Sequence, residues 1–105
     1  MGWFMRTYEL MTLSDGRLDE QAVNDLTSRF TKLIADQGGN VQKVDQWGKR
    51  ELAYEINHQT EGHYTVVDFD ISADGLKEVQ RQLGITDGIV RYKIVRPGTR
   101  TKRTA

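Results

Sequence analysis

The side chains able to do chemistry are few and scattered. The 105-residue chain has no cysteine and two histidines, His58 and His63. They stand five apart, near Glu55 and Glu61, in a stretch that reads as a hairpin. That spacing matches no helical zinc pair such as H-E-x-x-H, and no third ligand is obvious, so no metal site is expected. Exposed hairpin histidines are the simpler reading. Ser14, Ser28 and Ser72 lack the spacing of a nucleophile with its base. Neither glycine-rich phosphate loop, GxxxxGK[ST] or GxGxxG, is present. Asp68 and Asp70 share one face of a strand, where a solvent-facing role is commoner than an acid–base pair. Leu13-Ser14-Asp15-Gly16-Arg17 sets an arginine after the first strand, as an acylphosphatase-like anion loop would, but an aspartate sits beside it. No enzyme activity, cofactor or small-molecule substrate is expected.

The cations are less scattered. Fifteen Lys and Arg balance fifteen Asp and Glu, for a formal net charge of zero. Six of the cations, Arg91, Lys93, Arg96, Arg100, Lys102 and Arg103, fall after residue 90, where there is no acid. Residues 1–90 hold the other nine and all fifteen acids, so a body of −6 carries an arm of +6. Such a segregated basic arm is a pattern for polyanion contact, or else a solvated terminus that aids solubility.

The elements that must position these groups follow from periodicity. The length allows one domain. No apolar run approaches the ~20 residues that span a bilayer, so no membrane partner is expected. Met1-Gly2-Trp3-Phe4 has neither the basic nor the long apolar region of a secretory signal. The absence of cysteine fits a cytosolic chain. Residues 5–13 alternate weakly as a strand, and Ser14-Asp15-Gly16 is turn chemistry. Asp19 is a helix N-cap, and Val23, Leu26, Phe30, Leu33 and Ile34 form one apolar stripe. Gly38-Gly39 ends that helix. Residues 40–56 read as a long strand with a bulge or bend at Trp47-Gly48. Asn57 to Gly62 is a connection of hairpin length, and His63 to Ile71 is a third strand. Ser72 caps a second helix with a Leu76, Val79, Leu83 stripe. Gly84 and Gly88 bracket its exit, and Ile89 to Arg96 is the last strand, stopped by Pro97-Gly98.

The order βαββαβ predicts an α+β, ferredoxin-like fold: a four-stranded antiparallel sheet with two helices on one face. Residues 1–4 are an extension expected to be disordered, 5–96 the domain, and 97–105 a basic tail. Alternation points Thr65, Val67, Phe69, Ile71, Tyr92 and Ile94 at the helices. Tyr64, Val66, Asp68, Asp70, Arg91, Lys93 and Val95 then take the open face. Apolar and cationic groups on one bare face suit a protein or an RNA partner. The RNA-recognition motif shares this fold, but Glu61-Gly62-His63-Tyr64-Thr65-Val66-Val67-Asp68 lacks its stacking aromatics.

A longer match narrows the choice. Met5-Arg6-Thr7-Tyr8-Glu9, the run Val44-Asp45-Gln46-Trp47-Gly48-Lys49-Arg50-Glu51-Leu52-Ala53-Tyr54-Glu55-Ile56, Gly62 with Tyr64, and Leu83 with Val90-Arg91 occur in order over residues 5–96. Together they resemble the family of the sixth protein of the bacterial small ribosomal subunit. The central segment is the most specific part. The resemblance implies a cytoplasmic, ribosomal protein that binds small-subunit ribosomal RNA cooperatively with a second protein, the eighteenth of that subunit. It implies no catalysis. By resemblance Arg6 and Arg91 match RNA-contacting arginines, and Lys93 and Arg96 are their neighbours, with Lys93 standing where many members have an apolar residue. Arg100, Lys102 and Arg103 extend the set into the tail. Tyr64 and Val66 match the protein-partner face, joined by Trp47 on the bent strand. Leu52, Ala53 and Tyr54 fit packing alone. The expected geometry is a basic band along one sheet edge, with Arg6 and Arg91 at opposite ends of a ladder, and an apolar open face covered by the partner protein. The alternative is a non-ribosomal protein-interaction module of the same fold, self-associating through the open sheet.

Overall fold

In the computed structural model, residues 5–56 and 59–96 are described. The readings for Met1 to Phe4, His58, and the tail with Arg100, Lys102 and Arg103 lie outside them. The order is β1 (Arg6–Asp15), α1 (Glu20–Asp36), β2 (Asn40–Ile56), β3 (Gln59–Ile71), α2 (Ala73–Ile85) and β4 (Ile89–Val95). The strands form one antiparallel sheet in the order β2-β3-β1-β4, which is the ferredoxin-like arrangement. No helix among the described residues is long and apolar enough to cross a membrane.

The helix boundaries are written in local chemistry. The Asp19 side chain accepts from the Ala22 N–H at 2.8 Å, satisfying one of the donors a helix start leaves unpaired. The Ser72 hydroxyl does the same for the Gly75 N–H at 3.2 Å. Just past the C-cap of α1, Gly38 takes φ +83°, a conformation that side chains disfavour. Helix α2 runs on through Gly84 to Ile85, so that glycine does not mark its end.

Each helix presses its stripe on one sheet face. Phe30 and Ile34 of α1 and Val79 and Leu83 of α2 are buried against Tyr8 and Leu10 of β1 and Val67, Phe69 and Ile71 of β3, and Val23 of α1 is buried as well. Tyr8 and Phe69 meet as tilted rings with centroids 6.0 Å apart. Tyr92 and Ile94 pack on the same core from β4, as alternation predicts.

Three expectations change. Strand β3 starts at Gln59, so the β2–β3 hairpin is longer than a connection over 57–62 would make it. His63, on the third strand as expected, is half-buried and not exposed, and its Nε2–H donates to the Leu18 carbonyl at 2.9 Å, tying β3 to the loop before α1. Val66 points to the open face but is only 6% exposed. It sits on an interior strand, flanked by Met11 of β1 and Asp45 of β2.

Two substitutions test this packing. Ile34→Ala should lower stability by about 2–5 kcal/mol, because a fully buried side chain leaves a cavity. Asp19→Ala should cost about 1 kcal/mol through the lost cap. Urea denaturation measures both, and a cost below about 0.5 kcal/mol for Ile34→Ala would contradict the core assignment.

Candidate functional site

The open face is a grid set by strand register, because residues directly opposite one another point the same way. One row runs Arg91, Leu13, Tyr64, Gly48 across β4, β1, β3 and β2. The next runs Lys93, Met11, Val66, Asp45, and the third Val95, Glu9, Asp68, Lys43. The rows nearest the hairpin are thus apolar at the centre and cationic at the β4 edge. The third is mainly charged.

A β-bulge shapes the hairpin end. The β2–β3 register shifts between Gln46 and Gly48, and Gly48 takes φ +86°. Trp47 occupies the bulge, 44% exposed, with its ring centroid 6.2 Å from that of Tyr64. Arg50 donates from Nε to the Trp47 carbonyl at 3.1 Å, fixing the bulged backbone. Beyond it the arm of β2 shares a groove of about 260 Å³ with β4 and β1. Leu52, Tyr54 and Ile56 of the arm form one side, Met11, Leu13 and Tyr64 the floor, and Arg91 and Lys93 the other side.

The site residues therefore divide. Trp47, Tyr64, Arg91 and Lys93 come together on the open face. Arg91 and Lys93, both exposed and two residues apart on one strand face, have side chains rooted roughly 7 Å apart. Neither forms an ion pair or a side-chain hydrogen bond with another described residue. Arg6 and Arg96 lie at the other end of the sheet, where β1 starts and β4 has ended. Arg6 and Arg91 do fall at opposite ends of the β1–β4 ladder. Arg91 and Lys93 flank the same groove that Tyr64 floors, so the cations at the β4 edge border the apolar patch of the open face. Sequence reading missed Met11 and Leu13 as floor residues, although their parity opposite Tyr8, Leu10 and Thr12 was a sufficient signal. It also assigned Leu52 and Tyr54 to packing, whereas Tyr54 is 65% exposed and both line the groove.

Acid–base chemistry finds no seat here. The resolved shifts belong to Arg17, Glu78 and Arg81, all on the surface away from the groove. Hydrogen bonds from Arg81 and Gln82 bring the Glu78 carboxyl down to about 2. Arg17, the candidate for an anion loop, donates from Nε and Nη2 to Asp15 at 3.1 and 2.8 Å. The Asp15 carboxylate thus occupies the guanidinium and raises its pKa. Among the described residues no group of three His, Cys, Asp or Glu could hold a metal ion.

The family model described as ribosomal protein S6 matches residues 7–96. The chain is 46% identical over 93 residues to the small ribosomal subunit protein bS6 of Beutenbergia cavernae, covering 89% of this chain and 97% of that one. It is 42% identical over 101 residues to the bS6 of Saccharopolyspora erythraea, covering 96% and 86%. The crystal structure of 30S ribosomal protein S6 from Thermotoga maritima superposes with a TM-score of 0.84 at 32% identity, covering 89% of this chain and 88% of that one.

At the Arg6 end of the face, Asp70 accepts from Thr7 Oγ1 on β1 and from Gln42 Nε2 on β2, each at 2.6 Å. One carboxylate thus clips three neighbouring strands, which is a structural role and not a catalytic one. Asp70→Ala should lower stability by about 1 kcal/mol in urea denaturation, with part of the loss recovered in Asp70→Asn, which keeps one acceptor. A neutral Asp70→Ala would remove the clip from the account.

Proposed function

The chain belongs to the ribosomal protein S6 family, and from that premise we propose that it binds small-subunit ribosomal RNA together with the eighteenth protein of that subunit, through the groove on its open sheet face. Membership makes it a structural protein of the small ribosomal subunit and not an enzyme. It also sets aside the non-ribosomal module. The observation that carries the finer reading is the placement of Arg91 and Lys93, held by no described acid, beside an apolar floor.

Each part of the groove suits a different ligand. A phosphate is contacted best by cations that are not already neutralised, and such contacts position a protein without reading bases. Arg91 and Lys93 meet that condition, and Arg6 and Arg96 supply further cations at the far end. Arg100, Lys102 and Arg103 continue the cationic run in sequence. Met11, Tyr64 and Trp47 offer aromatic and aliphatic area of the kind that anchors protein interfaces, and Leu13, only 5% exposed, backs them without offering contact area. Val66 contributes from beneath, as a buried support for Met11 rather than as a contact. Carboxylates on the rest of the face, among them Glu9, Asp45 and Asp68, disfavour RNA there and so orient its approach.

The RNA part predicts a salt signature. Replacing Arg91 and Lys93 together by Ala should reduce the slope of log K against log salt by roughly 1.5, since each phosphate contact contributes about 0.7–0.9. Filter binding or fluorescence titration of the chain with its protein partner, over a salt series, measures this. An unchanged affinity and slope would refute the RNA assignment. The partner part predicts that Tyr64→Asp weakens association of the two proteins by more than about 30-fold, the equivalent of a ~2 kcal/mol hot spot. Circular dichroism should stay native, and normal heterodimer formation by Tyr64→Asp would exclude this face.

A further inference from the structure

Beneath the N-terminal half of α1 the interior is not wholly apolar. A cavity of about 10 Å³ lies between that helix and the sheet. Leu26 and Phe30 form part of its wall, and Thr12, Ser14, Thr27 and Thr65 bring four hydroxyls to it. Thr12 and Thr65 are directly opposite in the β1–β3 ladder, and Ser14 follows two residues on, on the same face. These three positions are only 8%, 3% and 2% exposed in that order, and alternation gives them to the helix-facing side, where Leu10, Val67 and Phe69 stand elsewhere.

The hydroxyl of Thr65 has no hydrogen-bond partner among the described residues. A buried hydroxyl in that condition is disfavoured, because water satisfied it in the unfolded chain. The Thr27 hydroxyl donates to the Val23 carbonyl at 3.0 Å, which leaves its lone pairs able to accept. A space of this size is just large enough for one water, and a buried water needs two to four polar partners. No carboxylate lines the cavity, so a cation has no claim on it.

We propose that this cavity is a binding site for one ordered water, which bridges Thr65 Oγ1 to the hydroxyls of Thr12 and Ser14. The water completes the hydrogen bonding of the β1–β3 pair where α1 crosses it. Helix α1 is then held in two ways along its length. Its C-terminal half, through Phe30 and Ile34, packs on the dry core. Its N-terminal half rests on a hydrated contact close to the His63–Leu18 bond.

Three variants of the full chain test the site, each by high-resolution crystallography, water-to-protein NMR transfer and urea denaturation. The wild-type chain and Thr65→Ser should show one water about 3 Å from the residue-65 hydroxyl. The isosteric Thr65→Val should lose that water and unfold at lower urea, because the Thr12 and Ser14 hydroxyls lose the partner that the water supplied. A dry cavity in the wild-type chain, or a Thr65→Val that unfolds at higher urea as relief of an unpaired hydroxyl would require, would overturn the proposal. Should Thr65→Val not fold, Ser14→Ala decides: the water should exchange at least about tenfold faster, as expected for one lost partner. Unchanged exchange there would count against the site.

Discussion

The ladder between β1 and β3 pairs ten residues without a shift, from Arg6 opposite Ile71 to Asp15 opposite Gly62. Both other strand pairs carry irregularities. A slip of one residue in the central ladder would turn Leu10, Phe69 and Ile71 out of the core and bring Glu9, Asp68 and Asp70 into it. Burying those carboxylates under the helices would be prohibitive unless they were paired. The register is therefore held by the contrast between two faces of the same strands. The site on the far face follows from it: once Leu10 and Val67 face the helices, Met11, Leu13 and Tyr64 must face away.

The irregular pairs act on this rigid centre. The bulge at Trp47-Gly48 changes which residues of β2 share a face, so that the arm beyond it joins a groove with β4 instead of simply extending the edge. On the other side, the β1–β4 register shifts between Leu13 and Ser14, just before Arg91 and Lys93 take their places opposite Leu13 and Met11. The outer strands thus carry the adjustable parts of the groove, and the inner strands carry its floor. Edge strands also need protection against pairing with other chains. The bulges of β2 and the exposed cations of β4 both provide it.

Much of this was legible in the sequence because it is local. Asp19, Ser72 and Gly38 announce the helix ends through hydrogen bonds and backbone angles within a few residues. The stripes of α1 and α2 repeat at helical spacing, and parity assigned Thr65, Val67, Phe69, Tyr92 and Ile94 correctly. The bulge was legible from Gly48. What depends on the neighbouring strands was not. Alternation gives the face of Val66 but not its burial, which depends on neighbouring strands that bring Met11 and Asp45 beside it from far away in sequence. The groove needs the arm of β2 and the tip of β4 together, and no periodicity within either strand says that they meet. His63 looked exposed because its partner, the Leu18 carbonyl, is a long-range contact.

That shared groove bears on how two ligands come to depend on each other under the proposed reading. Were the cations confined to an edge and the apolar patch to a face, RNA and protein would bind largely independently. Here Arg91 and Lys93 flank the floor that a protein partner would cover. Covering the floor excludes water and lowers the effective dielectric around the two cations, which strengthens their attraction to a phosphate. The same covering is costly if the cations are left without an anion, since a desolvated charge needs a partner. Each ligand thus relieves a penalty for the other, and by linkage the gain in affinity is equal in both directions. A chain of zero net charge gains little from long-range attraction to RNA. For such a chain, two unneutralised cations beside the floor that the proposed partner would cover would make binding conditional on assembly and not on charge alone.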